Sequence, residues 1–104
     1  MTLRRWYIDN FPASGTDYEL LEAEPEKETV LLSLIVSNYS TSGIARIEVK
    51  YLEGATTGLY WYLDMPVGNA PFALDSKMVF EPGDKITIKS DNTDVSVWAS
   101  GDVS

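Results

Sequence analysis

A chain of 104 residues supports one hydrophobic core and not two, with about 65% of its extended surface buried on folding. Sixteen acidic against eight basic side chains leave a net charge of −8, the wrong sign for coating nucleic acid. Cysteine and histidine are both absent, which excludes disulfides, thiolate zinc sites and thiol nucleophiles and removes the commonest general base.

In chain order, Leu3-Arg4-Arg5-Trp6-Tyr7-Ile8 is aromatic-rich and ends at Asp9-Asn10, as a first strand or an extended arm would. Phe11 to Thr16 contains Pro12 and Gly15 and reads as loop. Residues 1–16 are therefore expected to form an N-terminal strand or arm, with 17–104 as the body of a single domain. Tyr18 to Glu28 has leucines and five glutamates that favour helix, but it is short and Pro25 interrupts it, so it reads as strand. After the turn at Pro25-Glu26-Lys27 comes the strongest strand, Glu28 to Tyr39. Val30, Leu32, Leu34 and Val36 share one face and Leu31 and Ile35 lie on the other, the pattern of a central strand covered on both sides.

Ile44 to Glu53 alternates, with Ala45, Ile47, Val49 and Tyr51 inward and Arg46, Glu48 and Lys50 outward. Leu59, Trp61, Leu63 and Met65 then alternate with Tyr60, Tyr62 and Asp64, and Pro66 to Pro71 is a connection. Lys77 to Phe80 is a short strand leading into Glu81-Pro82-Gly83-Asp84, where Pro82 and Gly83 fit a type II turn. Ile86 and Ile88 alternate with lysines and threonine, and Val95, Val97 and Ala99 alternate with Ser96, Trp98 and Ser100. The sum is an all-β chain of about seven or eight short antiparallel strands, hence a β-sandwich of jelly-roll or immunoglobulin-like type, or a small barrel. Its expected core is Val30, Leu32, Leu34, Val36, Ile47, Val49, Trp61, Leu63, Ile86, Ile88, Val95 and Val97. No uncharged apolar run approaches the length of a membrane span, and no targeting segment is recognisable.

Chemistry is sparse. The acidic run Asp17, Glu19, Glu22, Glu24, Glu26 and Glu28 fits a solvated edge strand better than a calcium loop, because its spacing matches no known ligand pattern. No pair of carboxylates is singled out for glycoside hydrolysis, and no serine sits in a strained glycine-flanked elbow. The expectation is a non-enzyme without cofactor or metal, whose partners include neither nucleic acid nor membrane. Tyr60, Tyr62 and Trp98 point away from the expected core and suit either a protein contact or a sugar-stacking platform. Arg4, Arg5, Trp6 and Tyr7 join bidentate donors to large apolar rings, a composition suited to docking on another subunit, with the sandwich facing outward. The plainer alternative is that they form an edge strand.

The segment Met78 to Ser90 with its Glu81-Pro82-Gly83-Asp84 turn, followed by Val95 to Gly101, resembles small virion proteins of tailed bacteriophages. Thr29 to Val49 is similar to the central hairpin of those proteins, so the resemblance spans about residues 28–101. It implies a structural subunit of the particle, a capsid decoration, head-fibre or neck/tail accessory protein located in the virion after assembly in the host cytoplasm. It brings no catalytic or cofactor residue. The implied partners are further copies of the chain, with a trimer favoured, and other virion proteins such as the major capsid protein. The alternative function is a carbohydrate-binding module that stacks sugars on Tyr60, Tyr62 or Trp98.

Overall fold

The computed structural model describes residues 2–9, 11–40, 44–53, 56–66, 72–74 and 77–104, with residues 59 and 74 described in their backbone only. Its nine strands are β1 (Leu3–Ile8), β2 (Tyr18–Glu22), β3 (Thr29–Asn38), β4 (Ala45–Glu53), β5 (Thr56–Met65), β6 (Phe72–Leu74), β7 (Met78–Phe80), β8 (Lys85–Ser90) and β9 (Val95–Val103). They form two antiparallel sheets, one five-stranded in the order β1-β9-β3-β6 with β7 also paired to β3, the other four-stranded in the order β2-β8-β4-β5. The chain is all-β, and no described residue is helical.

Strand formation follows the period-two patterning. In β4, Ala45, Ile47 and Val49 are fully buried while Arg46 is exposed. In β8, Ile86, Ile88 and Ser90 are buried between half-exposed Lys85, Thr87 and Lys89. Val95, Val97, Ala99 and Val103 of β9 close the core from the other sheet. Packed between the sheets are also Leu31, Leu34, Val36, Phe80 and Met65. Trp61 and Leu63 pack against this core but are only half-buried.

The structure corrects the sequence expectation at several places. The described residues form nine strands, among them β6, three residues long, which pairs with Leu34–Val36 in a stretch to which the sequence reading assigns no element. Leu32 is not a core residue: the pairing of β3 with β9 shifts between Leu31 and Ser33, and this bulge buries Leu31 and leaves Leu32 38% exposed. Opposite the bulge sits Gly101, where a Cβ would come within 2.2 Å of the Val30 carbonyl oxygen, so no side chain fits without moving backbone. Nor is β3 covered on both faces within the chain, since Ile35 is 40% exposed. A second irregularity, between Glu19 and Leu21 in β2, buries both Leu20 and Leu21.

Residues 3–8 take the strand form of the strand-or-arm alternative, pairing with β9 from Leu3↔Asp102 to Ile8↔Val97. Phe11, just beyond, is among the largest fully buried side chains and meets Tyr18 edge-on. The Glu81–Asp84 turn closes with the Asp84 N–H donating to the Glu81 carbonyl at 3.0 Å and Gly83 at φ +90°, as a type II turn requires. At the other tight turn Glu26 takes φ +62°, a left-handed conformation usually given to glycine. Asn38 ties the sheets together: its Nδ2 donates to the Met65 carbonyl, and its Oδ1 accepts from the Ser40 N–H and hydroxyl.

Candidate functional site

Strand register gathers residues from three distant parts of the sequence on the outer face of the five-stranded sheet. Tyr7 pairs with Trp98, Trp98 with Ile35, and Ile35 with Ala73, making one row across four strands. The Tyr7 and Trp98 rings stack with centroids 4.9 Å apart and an interplanar angle of 18°. All three large members of the row are substantially exposed. The next row toward the β9 C-terminus is small, Arg5 pairing with Ser100 and Ser100 with Ser33. On the other side of the aromatic row, Ser96 pairs with Ser37. Beyond Ser100 lies a second bulky row, Leu3↔Asp102↔Val30↔Val79, in which Leu3 and Val79 are 70% and 60% exposed.

Among the described residues paired in these rows, the charged side chains are Arg5 and Asp102. The Arg5 guanidinium lies 5.3 Å from the Trp98 ring centroid and has no ion pair among the described residues. Asp102 accepts a hydrogen bond from the Thr2 N–H at 2.9 Å.

The outer face of the four-stranded sheet is built differently. Arg46 binds Asp64 through two hydrogen bonds of 2.9 and 3.0 Å. Lys89 pairs with Glu48 and Lys50 with Asp17, each at 3.1 Å, and Lys85 reaches Glu19. The Arg46 hydrogen bonds hold the Asp64 carboxyl below the usual carboxylate range, and the hydrogen bond that Lys89 donates to Glu48 raises the Lys89 ammonium. Tyr62 lies under the Arg46 guanidinium, 4.3 Å from its ring centroid, and the Tyr60 hydroxyl donates to Glu48. At the end of the sandwich, Tyr51 donates to Asp84 Oδ2 at 2.5 Å, and the Glu81 N–H donates to the same oxygen at 2.9 Å. Burial, then that hydrogen bond, pushes the Tyr51 phenol well above its ordinary value. A polar pocket lined by Tyr51, Glu53, Val79, Glu81 and Asp84 lies there, but no described group of three acidic side chains could hold a metal ion.

The residues singled out from sequence thus divide. Arg5, Tyr7 and Trp98 come together on the five-stranded sheet, while Tyr60 and Tyr62 lie on the outer face of the opposite sheet. Arg4 is engaged with Glu24 at 3.3 Å, and Trp6 is half-buried against the core. Sequence reading missed Ile35, Leu32, Leu3 and Val79 as surface residues. The signal was present in Glu28–Tyr39, whose two apolar faces require two covers, but its outer cover was sought inside the chain. No protein-family model matches the chain, and no curated protein matches it.

Proposed function

We propose that the chain is a non-catalytic assembly subunit of a tailed-phage particle, a decoration, head-fibre or neck/tail accessory protein, acting through protein–protein contact. The observation that carries this reading is the outer face of the five-stranded sheet. Among the described residues of its paired rows it combines stacked aromatics, aliphatic side chains and serines with a single charge of each sign, the composition of a contact surface rather than of a solvated one. Strand order supports a jelly-roll type. With β6 and β7 counted as one interrupted edge strand, the outermost pair β1 and β9 and the next pair β2 and β8 are wound together, as two Greek keys require. Jelly rolls serve in viral capsids and in lectins alike, so the fold leaves the choice to the surface.

A carbohydrate-binding module needs ring faces open to solvent for a sugar to lie on. Trp98 gives one face to Tyr7, and Tyr62 and Tyr60 lie against the cations of Arg46 and Lys50. The contact-surface reading therefore accounts for more of the geometry. Co-sedimentation with particles of the phage that encodes the chain tests it: the intact protein is expected to pellet with particles, and its tryptophan fluorescence to stay unchanged on glycan titration. Failure to pellet together with a saturable glycan response would replace the virion reading with the lectin one.

A further inference from the structure

We infer that the outer face of the five-stranded sheet is covered by the same face of a second copy, packed across a two-fold axis that runs perpendicular to the strands between the Trp98 and Ser100 rows. The inference rests on the contact-surface reading above and names its occupant.

The face alternates in relief along the strands. The serine row at Ser96 and Ser37 is followed by the bulky row at Trp98, then by Arg5, Ser100 and Ser33 with Leu32 turned outward at the bulge beside them, then by Leu3, Asp102, Val30 and Val79. At the β1–β9 end of the Ser100 row lies a shallow hollow lined by Leu3, Arg4, Arg5, Tyr7 and Ser100. Two rows of one kind alternating with two of the other are self-complementary under that axis. The Trp98 ring of each copy packs over Ser100 of its mate, Ile35 over Ser33 beside Leu32, and Asp102 and Val30 over Ser96 and Ser37. Every contact is then made twice, as an isologous interface requires.

Charge agrees with this arrangement. A chain at −8 repels its own copies, and among the described residues paired in the rows of this face Arg5 and Asp102 offset each other. Under the two-fold axis Arg5 meets Tyr7 of the second copy and Asp102 meets Ser96 of the second copy, so no like charges oppose. Arg5, without a carboxylate partner among the described residues, gains a second ring. The area is of the right order as well. The residues of β1, β9, β3, β6 and β7, each covering ~3.3 Å by ~4.8 Å, give roughly 490 Å² before side-chain relief is added. Stable interfaces begin at about 600 Å² per partner. Sheets stacked ~10 Å apart with the usual crossing angle accommodate side chains of this size.

The test uses the full chain. Sedimentation velocity at high micromolar concentration is expected to give twice the monomer mass. Trp98→Glu and Ile35→Glu should each return it to the monomer mass with far-ultraviolet circular dichroism retained, and Tyr62→Glu on the opposite sheet should leave the dimer intact. Geometry is read independently with single cysteines, since the chain has none and Ser→Cys is nearly isosteric. Across the proposed axis two copies of residue 100 lie ~12 Å apart and two copies of residue 37 ~22 Å apart, from strand rise and sheet spacing. A bismaleimide spanning about 12 Å by that arithmetic should link Ser100→Cys chains and not Ser37→Cys chains. A monomer or trimer mass for the unaltered chain overturns the inference, as does linkage at residue 37 without linkage at residue 100. If the glutamate variants unfold, the cross-linking pattern still decides. Particle binding is scored separately: a dimer that ignores particles keeps the pairing and removes the virion reading, and a monomer that binds particles does the reverse.

Discussion

The two outer faces of this protein come from one chain and one pleat, yet they solve the problem of facing outward in opposite ways. On the four-stranded sheet nearly every exposed cation has a carboxylate beside it, from Arg46 with Asp64 to Lys89 with Glu48. Such exposed pairs contribute little to stability, but they keep the face solvated and leave few groups free for a partner. On the five-stranded sheet the exposed groups are Tyr7, Trp98, Ile35, Leu3 and Val79, with serines between them. The lesson is that net charge describes neither face. Little of the −8 lies on the described rows of the five-stranded sheet.

The contrast can be broken or sharpened by substitution. The largest effect is expected at Gly101, which lets β9 pass the bulge of β3 and so sets the register of the open face. Gly101→Ala should cost about 3 kcal/mol in a urea or thermal melt, because the intruding methyl meets backbone rather than a movable side chain. Next, Trp98→Ala should leave the melt of the isolated chain nearly unchanged while weakening self-association by about 2 kcal/mol, the scale of an interface hot spot, as read by sedimentation equilibrium. Tyr51→Phe removes the hydroxyl that serves Asp84 and should cost about 1.5 kcal/mol, as for a hydrogen bond to a charged group. Because the folded-state phenol of Tyr51 is raised, its contribution is whole below pH ~10 and declines as pH rises toward the folded value. Alkaline melts of Tyr51→Phe should therefore fall less steeply than those of the parent.

Two smaller effects complete the series. Glu26→Gly should raise stability by about 1 kcal/mol by relieving a left-handed non-glycine residue, with no change in association. Asp64→Asn should give no resolvable change in the neutral-pH melt, since the pair with Arg46 is exposed. The folded Asp64 carboxyl is held low, so whatever it contributes is present above the ordinary carboxylate range and disappears as pH falls through its folded value.

Much of the fold was legible because it is local. Arg46 to Lys50 alternates without interruption, and the structure buries the residues that this alternation points inward. Tyr18 to Glu22 was readable as strand once Pro25 was allowed to veto helix propensity. What failed was non-local. The bulge that turns Leu32 outward depends on Gly101, far along the chain, and leaves no mark on the alternation of Val30 to Val36. Phe11 was assigned to a loop because Pro12 and Gly15 flank it, and loop chemistry says nothing about where a ring will bury itself. Of the candidate site, Arg5, Tyr7 and Trp98 could be named from composition. Their meeting with Ile35 required a register between β1, β9 and β3 that no single strand encodes.

Hydroxyl-radical footprinting of the full chain, compared between dilute and concentrated protein, tests the central claim without assuming a symmetry. All four reporter rings, Tyr7, Trp98, Tyr60 and Tyr62, are more than a third exposed in the isolated chain and should be oxidised when it is dilute. On assembly Tyr7 and Trp98 are predicted to become protected while Tyr60 and Tyr62 keep their reactivity. Protection of Tyr60 and Tyr62 with Tyr7 and Trp98 still reactive would contradict the account and move the contact surface to the other sheet.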